Sequence, residues 1–459
     1  MFKQEKLILI LLSIIYVIIG NTTQQPSMQS LGLMGWLGFL QLVYCIISWM
    51  KRGNQFISPY IIFLFALYIF SFGQSFLWAL GVKGQRMLVG FYGITIADIF
   101  YAQVLTIVML AFFHIGASYW ITKKAKPLSR QQFGNDNIAR LKTIGWLLFL
   151  VSVVPYVTET VNDMIMSVRM GYGAIYGEGK VGFDNLGGFI AEYFIPSVIC
   201  LFIAYKDNKS VLWFLVVILL MNIFAIMITG GRSNAVIIIA ILLVLYNYLI
   251  KRFTKKWLLV GVVGVILLLQ VLSFVGATRT QGGRSVTVDD IKIEDNAAVD
   301  AIAEMGGSMF CLIKTQELVP EKYDYRYGKS YAFAFTTLIP NLGFWDIHPA
   351  KKESNLSDWL TDALGLDYGS GFSMCAEAYA NFGNLGFIVF FFWGWFFASV
   401  FGKIEISVET RNYALLAFLL ILFWFFLKLP RNNFINLVRP IFFIAGPIYL
   451  YCTKSKKKI

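Results

Sequence analysis

Apolar runs of about 18 residues or more recur along most of this 459-residue chain, and no other feature limits its fold so tightly. A helix of that length spans roughly 30 Å of hydrocarbon. Inside hydrocarbon every backbone N–H and C=O must be satisfied within its own segment, so such runs are helices rather than open strands. A barrel would read instead as short stretches of alternating polarity. Only 14% of the residues are charged, against roughly a quarter in a soluble domain. The pattern predicts an all-α polytopic membrane protein of about twelve spans. They fall near 6–20, 31–50, 56–78, 94–121, 143–161, 189–205, 211–228, 234–250, 257–275, 373–401, 413–427 and 441–452. The first apolar run, Leu7 to Ile19, follows Lys3 and Lys6 but no small-residue cleavage site follows it, so it reads as a retained span.

A formal charge of +13 invites a nucleic-acid reading, but its distribution argues against one. The basic residues cluster in short segments between apolar runs, at 51–52, 123–142, 251–256 and 454–458. That is a topology signal. With the N-terminus inside, the cytoplasmic segments hold 22 Lys and Arg and the short outer segments hold 8. Both termini are then cytoplasmic, and the long segment 277–372 is a large extracytoplasmic loop within one integral membrane domain, 1–459. Long loops translocate largely regardless of charge, so that segment does not enter the comparison. Within it, Ala297 to Ile313 has helical apolar spacing, and Tyr331 to Trp345 is apolar enough to lie on a membrane surface.

Against this bias, several arginines fall in outer segments. Arg431 and Arg439 flank the last hairpin, LPRNNFINLVRP; Arg232 sits in the tight turn ITGGRS; Arg279 and Arg284 follow the ninth span; Arg169 lies in the Gly- and Tyr-rich segment 162–188. A guanidinium placed against the insertion bias calls for an anionic partner. A diphosphate presents oxygens in planar pairs that the guanidinium fork meets bidentately. The Gly-Gly-Arg turn also opens the next helix, whose N-terminal dipole favours an anion. A plain hairpin turn is the bland alternative there.

Four acids, Asp98, Glu159, Glu192 and Glu377, fall at the outer ends of predicted spans, either as functional groups or as interfacial side chains reaching for water. Glu377 is the first choice for a general base, Glu192 the second, and His348 in the long loop a third. His114 lies deep in the fourth span and reads as structural. The chain has no GxxxxGK[ST] loop, and no HExxH or paired CxxC. It has no DxD pair for a divalent metal, and the five cysteines show no paired spacing. No metal site and no cofactor are expected.

The ordered set ITGGRSN at 228–234, YGKSY at 327–331, IPN at 339–341, GFSMCAEAYANFGNLG at 371–386 and the final arginine hairpin resembles the bacterial oligosaccharide repeat-unit polymerases of the Wzy type, which make O-antigen or capsular polysaccharide. In order and spacing the resemblance covers roughly residues 160–450. The Arg-x10-Gly motif of some members has no clean match in either outer loop. The resemblance implies a glycosyltransferase-C-like fold in the bacterial cytoplasmic (inner) membrane and an undecaprenyl-diphosphate-linked oligosaccharide as substrate. It implies metal-independent, inverting transfer of the growing chain onto the newest repeat unit, with a chain-length regulator as a further partner. Inverting transfer needs a base for the acceptor hydroxyl and cations for the diphosphate leaving group. The outer acids and the six arginines match those two needs. The rivals are an O-antigen ligase, which uses the same donor, and a lipid-linked oligosaccharide flippase, where internal repeats and midplane ionisable groups are expected instead. No repeat is evident, and the ordered motifs favour the polymerase.

Overall fold

The computed structural model describes residues 2–53, 55–82, 87–122, 136–170, 186–229, 232–253, 297–341 and 343–453. Among these the chain forms helices and turns, with no strand. In order the α-helices are α1 (Phe2–Thr22), α2 (Met28–Met50), α3 (Pro59–Ala79), α4 (Ile96–Thr122), α5 (Asp136–Met170), α6 (Leu186–Ala191), α7 (Phe194–Ala204), α8 (Lys209–Thr229), α9 (Arg232–Leu249), α10 (Ala297–Gly306), α11 (Met309–Leu318), α12 (Lys329–Ala334), α13 (Pro349–Ser354), α14 (Leu356–Leu364), α15 (Met374–Phe382), α16 (Gly386–Glu409), α17 (Tyr413–Phe426), α18 (Ile435–Arg439) and α19 (Gly446–Thr453). Among the described residues ten helical segments are long and apolar enough to cross a membrane, and Asn234–Leu249 is a shorter apolar helix. The expected span 257–275 lies outside the described residues. Two expected spans are broken: 189–205 is the pair α6 and α7, and 373–401 is α15 and α16 separated by a turn at Gly383–Leu385.

The described chain forms two compact units. The first comprises Met1–Lys126, Ile302–Gly402 and Phe426–Arg439. In it α2 packs along α3, and α4 lies against α1, α2 and α3. Glycines set the closest approaches, because only a missing Cβ lets two helix backbones touch. A Cβ on Gly35 would meet Ser75 O at 2.0 Å, and one on Gly116 would meet Phe391 O at 1.9 Å. The space between is filled by a cluster of tilted and edge-on rings: Phe63 lies 4.5 Å from Phe397, and Phe397 lies 4.8 Å from Phe426, centre to centre. At one end of α2, the buried Arg52 pairs with Glu5 and donates to Ser118 O and Oγ. Ser48 Oγ donates to Glu5 Oε2 at 3.2 Å, so His114 Nε2 donates to Ser48 and His114 Nδ1 accepts from Tyr60. The expectation of a structural His114 is thereby given a mechanism: the ring bridges α2, α3 and α4 in one tautomer.

The long polar segment does not merely cover this unit. Its helix α11 is buried along nearly its whole length and packs against α3, α4 and α15. Lys314 enters with it, held by Tyr92 O at 2.9 Å and Glu317 at 2.6 Å. The end of α10 meets α3 through Gly306 and Gly73, and Gln74 donates to Ala303 O at 2.8 Å.

The second unit comprises Pro127–Ala301, Lys403–Phe425 and Pro440–Ile459. Helix α5 is its spine and packs against α6, α7, α8 and α19. Asn222 donates to Tyr156 Oη at 2.7 Å, tying α8 to α5, and Tyr193 donates to Phe443 O at 2.7 Å.

Candidate functional site

The first unit gathers three segments around α15. Its sequence specifies the helix start: Ser373 is extended, and its hydroxyl accepts from the Ala376 N–H, the usual bond of an N-cap serine. Glu377 then falls in the first turn and Asn381 four residues later, on the same face. The helix ends at Gly383, whose φ of +57° lets Tyr325 pass where a Cβ would stand 2.8 Å from its hydroxyl.

Glu377 is 1% exposed, and each of its carboxylate oxygens accepts a short bond. Ser330 Oγ donates to Oε1 at 2.7 Å, and the Phe434 N–H donates to Oε2 at 2.7 Å. Asn381 secures the serine. Its Nδ2 donates to Ser330 Oγ and to Glu377 O, both at 2.8 Å, while its Oδ1 accepts from the Gly328 N–H at 2.9 Å. Two more backbone bonds, Arg326 N to Ala380 O and Tyr327 N to Asn381 O, lay the 326–330 segment along the end of α15. Making them puts Tyr327 at φ +47° and Gly328 at φ +84°. The first value is costly for an aromatic residue and is a mark of a constrained site.

The arginine hairpin is fixed to the same scaffold. Asn433 Nδ2 donates to Ser354 O at the end of α13, and Arg439 Nε donates to Thr337 O at 3.1 Å. Arg431 is half-buried near Cys311; burial pushes that thiol up to about 12, and the guanidinium pulls the other way. Arg326 donates to Glu353 O at 3.1 Å and lies 5.3 Å above the Trp359 ring. Burial lowers its guanidinium from the ordinary value, and the carboxylates of Glu353 and Glu377 hold it up. Beside the network runs an open groove of about 550 Å³. Tyr331, Phe335, Trp393, Phe396 and Phe434 line it. Burial raises the Tyr331 hydroxyl well above its usual range, with Glu377 adding to the effect.

Of the residues singled out in the sequence, the first unit brings together Glu377, Arg431, Arg439 and His348. His348 caps α13: its Nδ1 accepts from Ala350 N, and its Nε2 lies 3.0 Å from Ile339 O, to which it donates. Asp98 is likewise spent on a helix start, in a reciprocal bond set with Thr95. Glu192 and Arg169 belong to the second unit, the first half-buried and the second exposed. Arg232 opens α9, without its side chain being described. Arg279 and Arg284 lie outside the described residues. Ser330, Asn381 and Arg326 were not anticipated. The spacing of Glu377 and Asn381 was a usable signal, whereas the serine's role depends on a fold contact 47 residues away.

Ten membrane-length helices among the described residues, one of them carrying a buried polar network with two of the segments between helices, define a multi-pass integral membrane protein. The profile of the O-antigen polysaccharide polymerase Wzy family matches residues 6–458, and the chain belongs to that family. It is an O-antigen repeat-unit polymerase, acting on lipid-linked oligosaccharide repeat units in the membrane. No curated protein and no solved structure matches the chain.

Proposed function

We propose that this polymerase takes the growing glycan from undecaprenyl diphosphate and transfers it, with inversion and without a metal ion, to the next lipid-linked repeat unit. The reaction lies at the outer face of the bacterial inner membrane, in a glycosyltransferase-C-like fold with both termini in the cytoplasm and 277–372 outside. The observation that carries the proposal is the pair Arg431 and Arg439 on one short hairpin anchored to α13 and to Thr337. A departing diphosphate develops negative charge, and guanidiniums held in place stabilise it without reorganising. The fork geometry suits paired phosphate oxygens at every physiological pH. Arg169, Arg232, Arg279 and Arg284 are proposed as further diphosphate contacts, because they stand in outer segments that the topology should deplete of basic residues. Glu192 stands as a proposed base; His348, proposed from the sequence as another, has both ring nitrogens engaged in its cap, and the role of Glu377 is developed below. A chain-length regulator is a proposed partner.

The test supplies purified protein with a synthetic diphosphate-linked repeat unit. Wild type gives a ladder spaced by one repeat unit. Replacing Arg431 or Arg439 by Ala removes charge-assisted bonds of about 1.5–3 kcal/mol and lowers the rate about ten- to hundred-fold. Lys restores it only in part. Normal ladders from both alanine variants refute the diphosphate assignment. Hydrolysis or one-step transfer without a ladder points to the ligase chemistry instead.

A further inference from the structure

We infer that Glu377 is a positioning residue whose carboxylate clamps the arginine hairpin to the 326–330 segment. The inference rests on the reading above, in which Arg431 and Arg439 bind the donor diphosphate. A general base must come within hydrogen-bond reach of the hydroxyl it deprotonates. Glu377 is 1% exposed, and both of its oxygens are already engaged at 2.7 Å. To meet a sugar it would have to release either Ser330 or the Phe434 amide. Release of Phe434 would free the hairpin between its two arginines, at 431 and 439. The surrounding bonds share one purpose. Asn381 orients the serine, the Gly328 N–H orients Asn381, and Asn433 ties the hairpin to Ser354 O. The carboxylate is therefore the joint at which α15, the 326–330 segment and the hairpin meet, and its negative charge strengthens both bonds that make the joint.

The side-chain chemistry separates a clamp from a base. In Glu377→Gln the amide oxygen can still accept from the Phe434 N–H. Its NH2 group can donate to Ser330 Oγ, since a hydroxyl turns from donor to acceptor by rotation. The joint survives with weaker, neutral bonds, while all basicity is gone. In Glu377→Leu neither bond is possible.

The measurement combines two readouts. One is ladder synthesis with the synthetic donor, resolved into kcat and KM. The other is labelling of Val438→Cys by a water-soluble maleimide. Val438 is 1% exposed, and the five native cysteines are buried, so labelling reports hairpin release independently of activity. The clamp predicts that Glu377→Gln keeps its rate within about ten-fold of wild type with Val438→Cys protected. It predicts that Glu377→Leu exposes Val438→Cys and raises the donor KM by about ten-fold or more. Should Glu377→Leu fail to fold, Glu377→Gln decides alone. A Gln variant whose kcat falls about a hundred-fold or more, with Val438→Cys still protected and KM unchanged, overturns the clamp and makes Glu377 the base. An inactive Gln variant with Val438→Cys labelled also overturns the inference, because neutral bonds at both positions should keep the joint closed. Failure of the donor reading shows elsewhere, as normal ladders with a normal KM in the Arg431 and Arg439 alanine variants.

Discussion

Gly394→Ala tests how α4 and α16 hold the first unit together. An ideal Cβ on Gly394 stands 1.8 Å from Phe113 O, and one on Gly116 stands 1.9 Å from Phe391 O. The two contacts are reciprocal, and since Gly386 meets Met109 at one end and Gly402 meets Trp120 at the other, the helices run parallel across a shared crossing. A carbon normally approaches a carbonyl oxygen no closer than about 3.3 Å, so one added methyl group forces the backbones apart by roughly 1.5 Å. A radial gap of about 0.5–1 Å already forfeits a quarter to a half of each dispersion well along the seam. The seam includes the contacts of Phe113 with Phe390 and Phe397. Forced overpacking costs about 1–3 kcal/mol, and a contact with backbone on both helices belongs at the upper end. The protein should therefore lose about 3 kcal/mol of stability, read as a lower thermal unfolding temperature in detergent. Polymer length should fall too, because α16 follows directly on α15 and its network. The Gly116→Ala, Gly394→Ala double variant should cost less than the sum, since one separation relieves both clashes. Gly369→Ala is the control: a Cβ there meets nothing within 4 Å and φ is not positive. A Gly394→Ala protein that melts with wild type and makes full-length polymer refutes the glycine seam.

Two further outcomes follow from the topology and from the buried ion pair. Reporters active only in the cytoplasm should be active at Asn135 and silent at Lys292 and Asn433; activity at Asn433 would put the arginine hairpin on the wrong side for the proposed reaction. Glu5→Ala should destabilise the first unit by about 3–5 kcal/mol, because it takes the carboxylate from a buried guanidinium, and replacing Glu5 and Arg52 together by Met should recover most of that loss. The check is the unfolding temperature of the single and double variants; equal values for both would mean that the pair carries no buried charge penalty.

Much of the architecture was legible because each apolar run must satisfy its own backbone bonds. Eleven of the twelve expected spans coincide with helices in the described residues, with end shifts and two breaks. The breaks were not legible: Gly383 reads as one more glycine in an apolar stretch until Tyr325 is seen beside it. The site divided in the same way. Arg431 and Arg439 were visible as departures from a charge bias, and Glu377 as an acid in an apolar context. Its partners were not visible, since Ser330 and the Phe434 amide lie 47 and 57 residues away along the chain.

Taken alone, the amino-acid order determines that this chain lives in a membrane, roughly where it crosses, and which family chemistry it carries. Those properties follow from local sums of transfer free energy and from short ordered motifs. Tertiary structure decided what each polar group does. It turned part of the polar segment 277–372 into a core helix, assigned His114 and His348 to holding helices, and gave both oxygens of Glu377 to donors from distant segments. The physical reason is that a buried polar group must find a partner wherever the fold supplies one, and the distance along the chain to that partner is set by packing rather than by any local pattern.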